Sequence, residues 1–222
     1  SADALKTTDP QTLLSLLQNL NNMQHTVIYY GPSSEKEVAA LMARQHKTAK
    51  KLQPVPQNKD YVYSLTPQNE VIIAPYEANN IYLRKLNNSG RQWNADDSAV
   101  EEVFNEYFGG GMNTIVFQEL REARGLAYNA NAYYVTPDKK SEPEFMMEHI
   151  ISQNDKMMDC INVFGEITEE LPQSEAAFQL AKQGIEKNIQ SGRITKLNLI
   201  NNYLTAQKLG IDYDIREKVY SA

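Results

Sequence analysis

Glycine punctuates the stretch from Tyr107 to Tyr128 twice, and each time it dictates where regular structure stops. Val100, Val103, Phe104 and Tyr107 fall on one face of a predicted helix that Asp97 is placed to cap. Three consecutive glycines, Gly109 to Gly111, break that helix, because glycine loses more backbone freedom in a helix than any other residue. The next helix is predicted from about Asn113 to Arg124, and Gly125 suits the left-handed position just past a helix end. A long strand, Leu126 to Val135, begins at once. The run Phe117-Gln-Glu-Leu-Arg121-Glu-Ala-Arg124-Gly-Leu-Ala-Tyr128 thus leaves no slack between helix and strand. Arg121 and Tyr128 are held in fixed relation across one bend. Side-chain alternation places Tyr128 on the face of Leu126, Ala130, Ala132 and Tyr134.

Upstream, Asp9-Pro10 is an N-cap with proline at the first helical position, and Leu13, Leu16, Leu17 and Leu20 form the apolar stripe of the helix it opens. Thr26 to Tyr30 is predicted as a short strand ended by Gly31-Pro32. Ser34 and Glu37 have capping-box spacing and start a second helix. Lys50 to Asp60, polar with two prolines, is the natural linker. Strands are predicted at Tyr61 to Leu65, Val71 to Ala74, Ile81 to Leu86 and Phe145 to Ser152. The remainder is helical: Met157 to Leu171, a helix opened by Ser174, another through Leu197 and Leu204 to Gly210, and a last piece around Ile215 and Val219. Strands in the middle and helices at the end predict an α+β fold, a two-layer sandwich of mostly antiparallel sheet with helices on one face.

At 222 residues the chain is long enough to bury a real core. Its net charge of −6 includes no basic block, which argues against nucleic acid as a partner. No apolar run approaches a membrane span and no charged-then-apolar leader precedes the first helix. Ser1 without an initiator Met implies processing or excision from something longer, and the compartment stays open. Cys160 stands alone, which rules out an internal disulfide and a cysteine-based metal cluster.

Most catalytic chemistries lack their residues. His25, His46 and His149 lie far apart, none with a second histidine three or four residues away, so no metal site is predicted in this chain. Glu148 and His149, adjacent on a strand, should point to opposite faces. Met112-Asn113 stands where a phosphate loop needs Lys and Ser or Thr, and a helix rather than a strand precedes the glycines. There is no Gly-x-Ser-x-Gly elbow. The pairs Asp96-Asp97, Glu101-Glu102 and Glu169-Glu170 are expected as solvated or capping charge. Arg121 and Tyr128 have two readings. They are a surface ion pair with Glu119 or Glu122 beside a half-buried strand aromatic, or a guanidinium and a phenol presented together. The guanidinium fork suits a peptide carbonyl or carboxylate, and a phenol donates to an oxyanion as its charge develops.

The run from Glu106 through the glycines to Arg121, Gly125 and Tyr128 resembles the most recognisable block of the pitrilysin/insulinase zinc peptidases, in the lobe that does not hold the zinc. Such enzymes close two similar lobes on a peptide. The resemblance implies that Arg121 and Tyr128 contact the substrate backbone and help stabilise the tetrahedral intermediate. It also implies that zinc belongs to a partner lobe bearing H-x-x-E-H, in the same polypeptide or another subunit, with no cofactor in this chain. Val100 to Tyr107, at the place of the metal helix, has no histidine. In this view 1–50 is the tail of a preceding module (helix, strand, helix), and 51–222 is the zinc-free domain, truncated at its C-terminus. Thr26 to Tyr30 would fill the sheet position its missing last strand leaves empty. The implied function is the non-catalytic C-terminal portion of a zinc metalloendopeptidase that binds unfolded peptide. The alternative is a structural or assembly subunit of the same fold.

Overall fold

Local signals at Asp9-Pro10 and Ser34 start two helices where they were expected, and a further short helix precedes them. In α1 (Ala2–Thr7) and α2 (Pro10–Asn19) the chain is helical from its first described residues, and the Asp9 carboxylate accepts the Gln11 N–H at 3.2 Å. At α3 (Glu35–Gln45) the capping box is complete: Ser34 Oγ accepts from Glu37 N–H, and Glu37 Oε2 accepts from Ser34 N–H at 2.8 Å. The computed structural model describes residues 2–57, 65, 68–88 and 90–222. It forms two compact units, Ser1–Tyr61 with Lys196–Ile200 and Val62–Thr195 with Asn201–Ala222.

In the first unit none of the described residues is buried, and the leucine stripe of α2 stands exposed. Thr26 to Tyr30 has no strand pairing among the described residues, so the expected strand is not formed. What orders this unit instead is a parallel bridge from Met23 to Gln53. Gln24 N–H donates to the Gln53 carbonyl and Gln53 N–H to the Asn22 carbonyl, each at 2.8 Å.

The second unit carries β1 (Asn80–Asn87), β2 (Ala127–Val135) and β3 (Phe145–Gln153), all antiparallel in the order β1-β3-β2. Register runs from Asn80 opposite Gln153 to Asn87 opposite Met146, and from Ala127 opposite Ser152 to Val135 opposite Phe145. Its helices are α4 (Ser98–Phe104), α5 (Ile115–Phe117), α6 (Met157–Glu169), α7 (Glu175–Ser191), α8 (Lys196–Leu209, which begins in the first unit) and α9 (Ile215–Ser221). One sheet face buries Ala130, Ala132 and Ile150 against Phe108, Val116, Leu120, Val163 and Phe164. This is the expected α+β sandwich, with helices on one face. Glu148 is buried on that same face, where Lys85 Nζ at 3.1 Å and Asn87 Nδ2 at 2.9 Å satisfy its carboxylate. His149 points the other way, as strand alternation requires.

Two expectations fail, and a third falls outside the described residues. Val71 to Ala74 is not a strand, and Val71, Ile72 and Ile73 are exposed. Tyr61 to Ser64, most of another expected strand, lie outside the described residues. Asp97 does not cap α4; its carboxylate pairs with the Arg91 guanidinium, and Asn94 caps the short 3-10 turn ahead of the helix.

The glycine run does more than stop a helix. α4 continues without a break into a π-turn, Asn105–Gly109, and α5 likewise into Gln118–Ala123. At Gly109 the turn presses on β2: a Cβ built there would lie 1.9 Å from the Ala132 carbonyl oxygen. Nearby, the Asn105 side chain takes the place of a neighbouring strand. Its Oδ1 accepts the Tyr134 N–H at 2.7 Å and its Nδ2 donates to the Tyr134 carbonyl at 3.1 Å. Gly111, by contrast, has open space around it. Gly109→Ala should therefore destabilise the protein by roughly 3 kcal/mol in urea unfolding, while Gly111→Ala changes stability by less than about 0.5 kcal/mol.

Candidate functional site

The bend between α5 and β2 is built from backbone bonds first. Gly125 has φ +58°, and its N–H donates to the Arg121 carbonyl at 3.0 Å, the single bond of a left-handed helix cap. Leu126 N–H reaches further, to the Leu120 carbonyl at 2.9 Å, a span widened by the π-turn beneath it. Two side chains secure the corner from the far side. Ser152 Oγ donates to the Leu126 carbonyl at 2.6 Å, and Lys156 Nζ to the Gly125 carbonyl at 3.3 Å. The glycine, the strand and the start of α6 are thereby tied into one rigid element.

Tyr128 leaves this corner by a route that alternation does not foresee. Ala127 pairs with Ser152 and Asn129 with Ile151, so Tyr128 is the extra residue of a β-bulge. The bulge returns Ala130 and Ala132 to the buried face with Ala127 and turns Tyr128 out; its side chain is 76% exposed. The expected sharing of a face with Ala130 and Ala132 is therefore corrected. Arg121 lies on the π-turn with its guanidinium carbon 4.8 Å above the Phe117 ring, and its side chain is 46% exposed. Its nearest carboxylate, that of Glu122, is 3.7 Å from Nε, a loose pair that leaves the guanidinium edge open. Arg124 takes up the acidic neighbours instead, reaching Glu119 and Glu166 at 3.5 Å each. The corner thus presents an open guanidinium and a solvent-facing phenol on a rigid base.

Among the other candidates, Cys160 is wholly buried in α6. His149 Nδ1 is buried without a hydrogen-bond partner. His25 and His46, distant in sequence, are brought to 2.7 Å between their Nε2 atoms. No periodicity or spacing rule signals such a meeting.

Residues 18–185, about three quarters of the chain, match a family model described as the peptidase M16 inactive domain. No curated protein sequence matches the chain. Among solved structures, a conserved protein from Enterococcus faecalis V583 is similar over 100% of this chain and 52% of its own, with a TM-score of 0.71 at 18% identity. The periplasmic protease PqqL from Escherichia coli is similar over 86% of this chain and 21% of its own, at TM-score 0.60 and 12% identity. A peptidase M16 inactive domain from Pseudomonas fluorescens is similar over 66% of this chain and 36% of its own, at TM-score 0.52 and 15% identity. These likenesses establish the fold, and the chain spans between a fifth and about half of each structure. No helix among the described residues is long and apolar enough to cross a membrane.

The helical run from Val100 to Tyr107 offers Glu101, Glu102 and Glu106 but no imidazole, and this donor set does not fit a catalytic zinc. Nor does any group of three His, Cys, Asp or Glu among the described residues. Glu101, expected as solvated charge, instead lies within hydrogen-bonding reach of the Glu144 carboxylate. Burial first, and then the Glu144 and Asp97 carboxylates, push its carboxyl up to about 7, against the pull of Arg91. Between the ordinary glutamate value of 4.5 and about 7 the folded state holds a proton that the unfolded chain has lost. Stability therefore falls as pH rises through that window. Glu101→Gln should remove this loss, raising the melting temperature at pH 8 by roughly 2–4 °C and leaving it unchanged or lower at pH 5, as read by thermal unfolding across the range.

Proposed function

The chain belongs to the family of peptidase M16 inactive domains, and from that premise we propose that it is the zinc-free portion of a pitrilysin-type metalloendopeptidase. It holds unfolded peptide against a zinc-bearing lobe, in the same polypeptide or a separate subunit. The zinc lobe supplies the metal-activated water. This chain supplies Arg121 and Tyr128.

The arrangement that supports this reading is the bulged, doubly anchored corner. A tyrosine 76% exposed on an edge strand gains nothing for stability from its phenol, yet a bulge and a widened helical turn converge to place it there. Arg121 takes the complementary part. It keeps its charge at any working pH, and Phe117 beneath it limits the rotamers it loses on binding. In the proposed complex the Arg121 fork donates to a backbone carbonyl of the bound peptide. The Tyr128 hydroxyl donates to the oxygen that gains negative charge as the scissile carbonyl becomes tetrahedral. That contact strengthens only as the charge develops, so its loss should appear in turnover more than in binding.

The test is made in the enzyme reassembled with its zinc lobe, on an unstructured peptide. Tyr128→Phe should lower turnover at least about tenfold, a barrier increase of about 1.4 kcal/mol, with peptide affinity little changed. Arg121→Ala should weaken peptide binding as well, and Arg121→Lys should restore little, lacking the planar fork. Full turnover in both Tyr128→Phe and Arg121→Ala would assign the chain to the scaffold class instead.

A further inference from the structure

The pairing of His25 with His46 stands apart from the corner and from everything derived from it. The two residues are 21 positions apart, and their rings meet edge to face with centroids 4.9 Å apart and Nε2 atoms 2.7 Å apart. Two features make the pair more than a chance contact. His25 Nδ1 lies 2.7 Å from the Met23 carbonyl, an oxygen that only accepts, so Nδ1 carries the proton and Nε2 keeps its lone pair. Metal-bound imidazoles are oriented by such a bond on the far ring nitrogen. His46, for its part, sits at the C-terminal cap of α3, its backbone N–H donating to the Met42 carbonyl at 2.8 Å. A helix C-terminus is a favourable place for positive charge.

We propose that His25 and His46 form a two-imidazole site for a divalent transition ion of square-planar preference, copper(II) foremost. The two nitrogens are close enough to reach one ion. Two nitrogens bound at right angles, each about 2.0 Å from one ion, lie about 2.8 Å apart, whereas a tetrahedral angle spreads them to about 3.3 Å. The observed 2.7 Å is a hydrogen-bond length, and the right-angle spacing is the smaller displacement from it.

Loading the site needs a change of tautomer and a tilt of the two rings. Without an ion, His46 Nε2–H donates to His25 Nε2. Moving that proton to His46 Nδ1 frees the second Nε2 lone pair, both rings then tilt off the N–N line to meet at one ion, and no proton need leave the protein. The ligands are also set in place beforehand. The Met23–Gln53 bridge secures the chain two residues before His25, and the helix end holds His46. His25 is exposed and His46 half-exposed, which leaves the ion a path in and room for water at its remaining positions.

Copper(II) titrated into the full chain near neutral pH should bind one equivalent and give an axial resonance spectrum with splitting from two nitrogens. His25→Ala and His46→Ala should each weaken that binding at least tenfold, while His149→Ala leaves it unchanged. A measurement free of substitutions guards against misfolded variants. In the unmodified protein, substoichiometric copper(II) should broaden the imidazole resonances of His25 and His46 before that of His149. Equal broadening of all three, broadening centred on the Ser1 amine, or variants that bind as tightly as the parent would overturn the site.

Discussion

A single close approach, that of the Gly109 backbone to the backbone of Ala132, sets the spacing between the helical layer and the sheet. No side chain fits between them, so the π-turn after α4 rests directly on β2, and Asn105 can reach the Tyr134 N–H and carbonyl. The small residues of β2 serve the same end. Ala127, Ala130 and Ala132 offer a flat floor on which Phe108, Val116 and Leu120 pack. Two π-turns lie in this layer, each widening the helix locally.

That widening also makes the corner useful. Arg121 lies on the second π-turn and Tyr128 on the bulge, so both project from positions where regular structure is locally widened. Irregular backbone of this kind is held by what surrounds it, here the Ser152 and Lys156 contacts to the carbonyls of Leu126 and Gly125. These contacts hold the backbone of the corner, and Arg121 and Tyr128 stand exposed on it. In the proposed enzyme this arrangement lets a rigid base carry groups that meet a flexible peptide.

The buried carboxylates show how one layer carries charge differently from place to place. Glu148 is fully inside, yet Lys85 and Asn87 meet it from the neighbouring strand. Burial raises the carboxyl of each: at Glu148 it is opposed by Lys85 and Asn87, while at Glu101 the Glu144 and Asp97 carboxylates push the same way, to about 7. Both sit in segments where the sequence shows only an ordinary mixture of acidic and apolar residues. Their difference lies in their neighbours.

Local chemistry alone settled the element types along most of the chain. The capping box at Ser34, the proline start of α2, the glycine at Gly125 and the helix–strand order each act within a few residues, and each appears where it was read. The α+β class followed from that order. The tertiary structure decided whatever depends on a partner far away in the chain. Val71 to Ala74 has strand composition but finds no ladder, and the α2 leucines have a helical stripe but no cover within their unit. The face of Tyr128 depended on register against β3, which one bulged residue reverses. The meeting of His25 and His46 joins residues 21 positions apart in the chain. Periodicity and capping report only on adjacent residues, whereas pairing, register and side-chain convergence exist only once distant segments have met.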